Sequence, residues 1–413
     1  MLLYFKTKNN LSFDEEVEFN AVAGSYKDPA TGKEQHAENL IVLPKYDVNL
    51  LRTSVIYGAN ASGKSNLIDC MIRGVYFVKN NHRDSGEDGK WMFNSKHNRL
   101  KFKNANLPLS YTYSFIVNNT MFEYTFAIDQ SRVTFETLLE YRSQKPITHY
   151  KREYNKKTKS YDWAKFSIYF TGEKETVKNI TNERSLFLSV GDISNLAVCK
   201  EAFSWFKNIV KWSISKEYPG RINEQFVLKN VMEDKKYKTF ILEMLKEADF
   251  SIVDIDVKPG LNSQRLEVKT HHKAIDKSGK EVTVEMDYYT EESTGTRRFI
   301  AWWGVWIDAH RADLVIFLDE FGVSMHTLLT KYLLKKFTGR DLAKNNAQLI
   351  FSTHDTNLMS KELFRPDQIW VVDRDDLGNS KLQSLSKFKL SKVKDLEKGY
   401  LDGLYGGIPY LKD

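Results

Sequence analysis

Cysteine is almost missing from this chain: Cys70 and Cys199 are the two in 413 residues. They lie far apart and neither has a C-x-x-C spacing, which excludes a disulfide framework, a zinc site or a zinc hook and points to a reducing compartment. No apolar run approaches the length of a membrane helix, so no membrane partner is expected. Met1-Leu2-Leu3-Tyr4-Phe5-Lys6 reads as a strand and lacks the long apolar core of a signal peptide. A cytoplasmic location follows as the expectation. Sustained heptads are missing, which excludes a long coiled coil, and no internal repeat is evident. The formal net charge, +7, is modest for this length.

What is present is concentrated in four short segments. Gly58-Ala59-Asn60-Ala61-Ser62-Gly63-Lys64-Ser65 matches G-x-x-x-x-G-K-[ST], the phosphate-binding P-loop. The β-branched run 53–57 precedes it, and apolar residues at helical spacing follow from Asn66 to Ile72. Gly58 and Gly63 let the backbone close around a triphosphate, with loop N–H groups and the helix N-terminus facing the anion. Lys64 can reach the β- and γ-phosphates, and the Ser65 hydroxyl can ligate Mg²⁺.

The second segment, 314–318, is a continuous apolar run ending in Asp319-Glu320. This is the pattern of a strand buried on both faces. An aspartate there can hold Mg²⁺, and the adjacent glutamate can polarise an attacking water. The third, Leu349-Ile350-Phe351-Ser352-Thr353-His354-Asp355, is another buried strand that puts His354 at its carboxyl end, where open parallel sheets bind ligands. The fourth, Glu292-Ser293-Thr294-Gly295-Thr296-Arg297-Arg298, precedes an apolar stretch, so that Ser293 can cap a helix whose N-terminus meets an anion.

Length allows two or three domains. Strands are expected at 2–7 and 12–19, then a polar loop over 22–39 and, after the P-loop helix, another over 80–90. Alternation predicts antiparallel strands at 110–117, 122–128, 134–141 and 165–170, with a turn at Asn118-Asn119. The pattern is helical over 193–248 and returns to strand at 253–257, 265–270 and 282–288. Basic residues between Lys145 and Lys178 alternate with Tyr150, Tyr154, Tyr161, Trp163 and Phe166. That interleaving suits either nucleic acid or a hairpin with a solvated lysine face turning at Asn155-Lys156-Lys157. The stretch Lys229–Lys246 fits an amphipathic helix. Asp373-Arg374-Asp375 resembles a nuclease metal pair, but 375–380 reads as a hairpin turn.

Taken together, the motifs resemble the nucleotide-binding heads of the ABC, SMC and RecF superfamily. Residues 58–65 stand for Walker A, 293–296 for a degenerate signature motif, 314–320 for Walker B, 322–326 for the D-loop region and His354 for the switch histidine. More narrowly, the chain is similar to the standalone OLD-like ATPases of phage-defence and abortive-infection systems, which also carry runs like Glu397-Lys398-Gly399-Tyr400 and Tyr405-Gly406-Gly407-Ile408-Pro409. The similarity covers the first 75 residues and the last 125. No Q-loop glutamine is recognisable, and the signature lacks the double glycine of transporters.

The resemblance implies an α/β fold: an ABC-type P-loop ATPase head with an antiparallel β-subdomain and an inserted helical subdomain. The expected division is 1–78 with Walker A, 79–192 rich in antiparallel strands, a helical insert over 193–250, and 251–413 with the remaining motifs. It implies ATP and Mg²⁺ as ligands, Gly58 to Asn66 with Ser293 and Gly295 on the nucleotide, Ser65 and Asp319 on the metal, and Glu320 and His354 as catalytic groups. Partners would be a second copy in an ATP-sandwich dimer and a separately encoded effector such as a TOPRIM or other nuclease. A repair ATPase of RecF or SMC type that binds nucleic acid is the alternative.

Overall fold

The computed structural model describes every residue except 28–31, 33, 82–96, 102–103, 105, 144, 213–223, 249, 261–265, 324, 340–345, 391–392, 394 and 410–413, and of 210–212 it describes the backbone. Two sheets organise the chain. The larger has seven strands in the order Ser160–Trp163, Ile147–Asn155, Val133–Tyr141, Thr120–Ile128, Leu109–Val117, Leu2–Lys8, Val17–Asn20. All its pairings are antiparallel. Alternation of side chains puts Phe5, Tyr113, Phe115, Tyr124 and Phe126 into one buried cluster.

The second sheet runs Ile209–Trp212, Val315–Leu318, Gln348–Ser352, Thr53–Tyr57, Ile369–Arg374, Ser380–Ser384. Its first five strands are parallel and the last is antiparallel. Every residue of its three central strands is buried, which is why those segments read as unbroken apolar runs rather than alternating ones. The helix Lys64–Asn80 joins the two sheets. Its Leu67, Ile68 and Met71 share a core with Phe317 and Ile350 from one sheet and Tyr113 and Phe115 from the other. The Tyr113 hydroxyl donates to Met71 O at 2.6 Å. Gly74 makes that approach possible, since a Cβ there would lie 2.1 Å from the same hydroxyl.

Several expected elements are displaced. The strand expected over 12–19 shrinks to Val17–Asn20, because Asn10 and Phe13 close a tight turn with reciprocal 2.8 Å backbone bonds. Residues 165–170 form no strand; Phe166 and Phe170 turn inward against Tyr150 and Phe187. The helical stretch 193–248 is interrupted by Ile209–Trp212, a four-residue strand on the edge of the parallel sheet. Its length is too short for a periodicity signal, and its pairing comes from residues a hundred positions away.

The helices Lys174–Ile180 and Phe187–Ile193 fall within the segment expected to be β-rich. The strands Ile252–Pro259, Leu266–Ile275 and Glu281–Asp287 form their own antiparallel sheet. Ile252, Ile255 and Val268 from that sheet share a core with Val227, Leu228, Ile241 and Leu245 of the helices Glu224–Glu233 and Lys235–Glu247. The meander therefore packs with the helical insert. Asp234 separates the two helices by capping the second, accepting from the amides of Lys236 and Tyr237. Most of the loop expected at 80–90 lies outside the described residues, while the described part of 22–39 is tied down by the buried Arg365, which bonds Glu34 at 2.7 Å and Gln35 O at 2.9 Å.

The basic and aromatic stretch serves packing. Tyr150, Phe166 and Phe170 are buried, and the hairpin turns between Asn155 and Ser160. Arg152 is wholly buried beside Glu136. The Glu136 carboxylate accepts from Arg152 Nε at 2.9 Å, from the hydroxyls of Tyr124 and Tyr150 at 2.9 and 3.0 Å, and from the amides of Phe187 and Leu188 at 2.8 and 2.9 Å. One carboxylate thus ties two strands to the start of the helix Phe187–Ile193. Glu136→Ala leaves the arginine charge buried without its partner and should lower stability by about 3–5 kcal/mol. Tyr124→Phe removes one hydrogen bond and should cost only about 1 kcal/mol. Urea unfolding of the two variants side by side measures both.

Candidate nucleotide site

Register brings the motifs together. Ser352 lies opposite Ile56 and Phe351 opposite Leu318, so the strands Thr53–Tyr57, Gln348–Ser352 and Val315–Leu318 end on the same edge of the parallel sheet. Each motif residue follows directly from one of those ends.

The P-loop turn depends on its glycines. Gly58 has φ 153°, and a Cβ there would come within 2.4 Å of Val372 O; Gly63 has φ 113°, and a Cβ would come within 2.1 Å of Ser380 Oγ. The loop is braced from outside by two serines distant in sequence. Ser380 Oγ bonds Ser62 O and Ser12 Oγ, each at 2.6 Å, and Asn66 Nδ2 donates to Ser12 Oγ at 2.8 Å. Asn60, Ala61 and Ser65 remain exposed. The Ser62 hydroxyl is buried with no hydrogen-bond partner among the described residues. An exposed glycine turn at the N-terminus of the 17-residue helix Lys64–Asn80, with one buried donor left over, fits an oligophosphate.

Lys64 is folded back into this turn. Its Nζ donates to Gly58 O at 2.8 Å and to Ala59 O at 3.0 Å. Burial pushes its pKa down to about 8, against the pull of Asp319 and Glu320. Asp319 is buried, and its Oδ1 accepts from Ser352 Oγ at 2.5 Å. The same hydroxyl accepts from the Glu320 amide at 2.9 Å, which helps hold Glu320 at φ 58° in the left-handed region. Phe321 N to Ser352 O and Thr353 Oγ1 to Phe321 O, both 2.9 Å, complete the lacing. His354 is exposed at the next position; partial burial lowers its pKa, Lys64 lowers it further, and Glu320 and Asp319 oppose both. Lys64, Asp319, Glu320 and His354 thus lie near enough for their charges to act on one another.

The remaining expected sites lie on other elements. Ser293 caps the helix Thr294–Ala312, its Oγ accepting from Thr296 N at 3.0 Å, and Gly295 lies in that first turn. The bonds at Ser293 are local. Its neighbour Glu292 is held by Thr270 Oγ1 at 2.6 Å and His272 Nε2 at 2.5 Å, both from the meander. Asp375 caps its own turn, accepting from the amides of Leu377 and Asn379 at 3.0 and 2.9 Å, so the aspartate pair is the start of a hairpin. Among the described residues no cluster of three or more His, Cys, Asp or Glu suits a metal. Ser65 with Asp319 is a hydroxyl and a carboxylate, an oxygen pair of the kind Mg²⁺ takes while keeping most of its water.

Motif reading singles out Lys64, Asp319, Glu320 and His354, which follow the three strand ends, and misses Ser12, Ser352 and Ser380. Ser352 stood within the quoted strand, where the burial of a hydroxyl among apolar residues was the available signal. Ser12 and Ser380 gave none, since their role exists only through contacts across the fold.

A family model described as "AAA domain, putative AbiEii toxin, Type IV TA system" matches residues 54–360. The chain belongs to this AAA family. Its fold is α/β, with the P-loop at the end of a strand of the parallel sheet. Among solved structures the chain is similar to the SMC head domain from Thermotoga maritima, with 14% identity and a TM-score of 0.39 over 93% of this chain and 98% of that one. No curated protein matches. Among the described residues no helix is long and apolar enough to cross a membrane.

The buried lysine makes nucleotide affinity pH-dependent. With a ligand-free pKa of about 8, Lys64 is charged below that pH and loses its proton above it. A bound polyanion favours the charged form, so affinity should fall as pH rises through 8, by about tenfold between pH 7 and 9. Lys64→Arg keeps its charge throughout and should flatten the profile. Titration with a fluorescent non-hydrolysable ATP analogue across that range reads both.

Proposed function

We propose that this AAA-family chain binds and hydrolyses ATP, and that the nucleotide cycle drives association of two copies to regulate a separately encoded effector, in the setting of antiphage defence in the cytoplasm. The observation that carries the reading is the strand register, which ends three adjacent strands on one edge of the sheet and starts the P-loop, the pair Asp319-Glu320 and the loop with His354 from those ends.

In this reading Lys64 leaves the Gly58 and Ala59 carbonyls and, with the loop amides from Gly58 to Asn66, holds the phosphates. Ser65 and Asp319 would hold Mg²⁺, which when bound offsets the charge that develops on the phosphoryl oxygens. Glu320 accepts a proton from the attacking water. Its backbone is pinned through Ser352, so its carboxylate is aimed by the same hydroxyl that orients Asp319. His354 reports on the γ-phosphate. Ser293 and Gly295, at a helix start with local bonds only, act across the interface on the nucleotide of the partner copy.

The output of such a cycle is conformational, so the effector must distinguish the two states. The resemblance suggests a nuclease, TOPRIM or other, as that effector. The aspartates at 373 and 375 are used in a hairpin, which favours an effector outside this chain. The family description names a toxin, and that supports a second reading in which the chain itself is toxic. Expression of the chain alone separates them. Unimpaired growth, with toxicity only when the neighbouring gene is co-expressed, supports the regulator; growth arrest by the lone chain overturns it.

Glu320→Gln should retain ATP while slowing hydrolysis by about two to four orders of magnitude, the worth of a positioned base. Hydrolysis at the parent rate removes Glu320 from the role. Mixing Lys64→Ala with Ser293→Arg should restore about one competent site per heterodimer, since each chain supplies what the other lacks. Full activity of a strictly monomeric protein on dilution rules out action in trans.

A further inference from the structure

The C-terminal segment 396–408 contains none of the nucleotide motifs, yet it packs against the first of them. The ring of Tyr57, the last residue before the P-loop, lies 5.9 Å from the ring of Tyr400 on the short helix Leu396–Leu401. The Tyr400 hydroxyl, largely buried, donates to Gly407 O at 2.7 Å. Burial raises its pKa to about 12, and Asp373 adds to the rise. Tyr400 thus holds Gly407 by its carbonyl.

Gly407 itself touches the P-loop. Its φ is 68°, and a Cβ there would lie 2.4 Å from Val371 Cγ1, 3.2 Å from Val372 O and 3.3 Å from Gly58 Cα. Gly58 in turn has no room for a Cβ on its Val372 side. Three backbones therefore stack without side chains between them: Gly407, the end of the strand Ile369–Arg374, and Gly58. The same segment reaches the histidine loop, where Thr356 Oγ1 donates to Glu397 Oε1 at 2.6 Å and Tyr57 Oη to Asp355 O at 3.4 Å.

We propose that Tyr400 and Gly407 are positioning residues for the P-loop: they hold Gly58 in the conformation that leaves the loop amides free for phosphate. The inference rests on the nucleotide-site reading above and goes beyond it, because it assigns a role to a segment outside the ATPase motifs. The mechanism is steric and directional. Gly58 needs a backbone conformation that non-glycine residues rarely adopt, and such conformations persist only where surrounding structure over-determines them. The Gly407 backbone supplies that constraint, and the Tyr400 hydroxyl holds Gly407 in place.

Tyr400→Phe keeps the ring and removes the hydroxyl, and Gly407→Ala inserts a methyl group against Gly58. Each is measured for binding of a fluorescent non-hydrolysable ATP analogue with Mg²⁺, for KM and kcat of ATP hydrolysis, and for thermal midpoint. Tyr405→Phe is the control. It lies on the same segment and is buried, and its hydroxyl has no hydrogen-bond partner among the described residues. Tyr400→Phe should weaken analogue binding by about three- to tenfold, the worth of one hydrogen bond, and raise KM by a similar factor with kcat changed less than about twofold. Gly407→Ala should weaken binding by more than about tenfold, as expected where a Cβ meets unyielding backbone. Tyr405→Phe should bind like the parent. The proposal is overturned if Tyr400→Phe binds and turns over like the parent, or if it and Tyr405→Phe lose affinity equally. If Gly407→Ala does not fold, Tyr400→Phe decides alone. A parent protein that binds no analogue overturns the nucleotide site itself and this inference with it.

Discussion

Everything at the candidate site hangs on the strand Gln348–Ser352. It is hydrogen-bonded on one side to the strand that leads into the P-loop and on the other to the strand that leads into Asp319-Glu320. Main-chain pairing fixes register on both sides, and a slip of one residue would reverse every side chain. At its end a single hydroxyl, that of Ser352, donates to the Asp319 carboxylate and accepts from the Glu320 amide. A buried hydroxyl with both capacities used orients its neighbours without mobility to spare. The distance between the phosphate loop and the acidic pair is thus set by sheet geometry.

Lys64 is placed to change partners. Lys64 is buried, bonded to carbonyls of its own loop, and low in pKa. Those carbonyls are weaker partners for a cation than a phosphate would be, because a phosphate oxygen carries a charge that a carbonyl lacks. Exchange of partners at Lys64 is therefore favourable, and it releases the Gly58 and Ala59 carbonyls at the same moment. A local change of partner at the turn can then reach the segment that packs on Gly58.

The helix Thr294–Ala312 is connected differently. Arg297 makes a bidentate pair with Glu224, at 2.9 and 2.8 Å, and Glu292 is held by Thr270 and His272. Both partners belong to the inserted helices and the meander that packs on them. Arg298 reaches the carbonyl of Val323, just after the acidic pair. The helix start is consequently tied to the insert on one side and to the Walker B loop on the other.

The sequence by itself determined the local pieces. The glycine spacing of 58–65, the apolar runs that end in Asp319 and Ser352, and the cap at Ser293 are readable because each rule involves neighbours within a few residues: positive φ, burial on both faces, an N-cap hydroxyl. The hairpin at Asn118-Asn119 belongs with them, both residues having positive φ as its tight turn requires. Only the tertiary structure decided the rest. Ile209–Trp212 is a strand because Val315–Leu318 offers it an edge. Phe166 and Phe170 leave the expected strand because a pocket of aromatic rings takes them. Ser12, Ser380, Tyr400 and Gly407 matter because chain segments hundreds of residues apart close on the P-loop. Periodicity carries information about a residue's own element. It carries none about which distant backbone will approach within 3 Å.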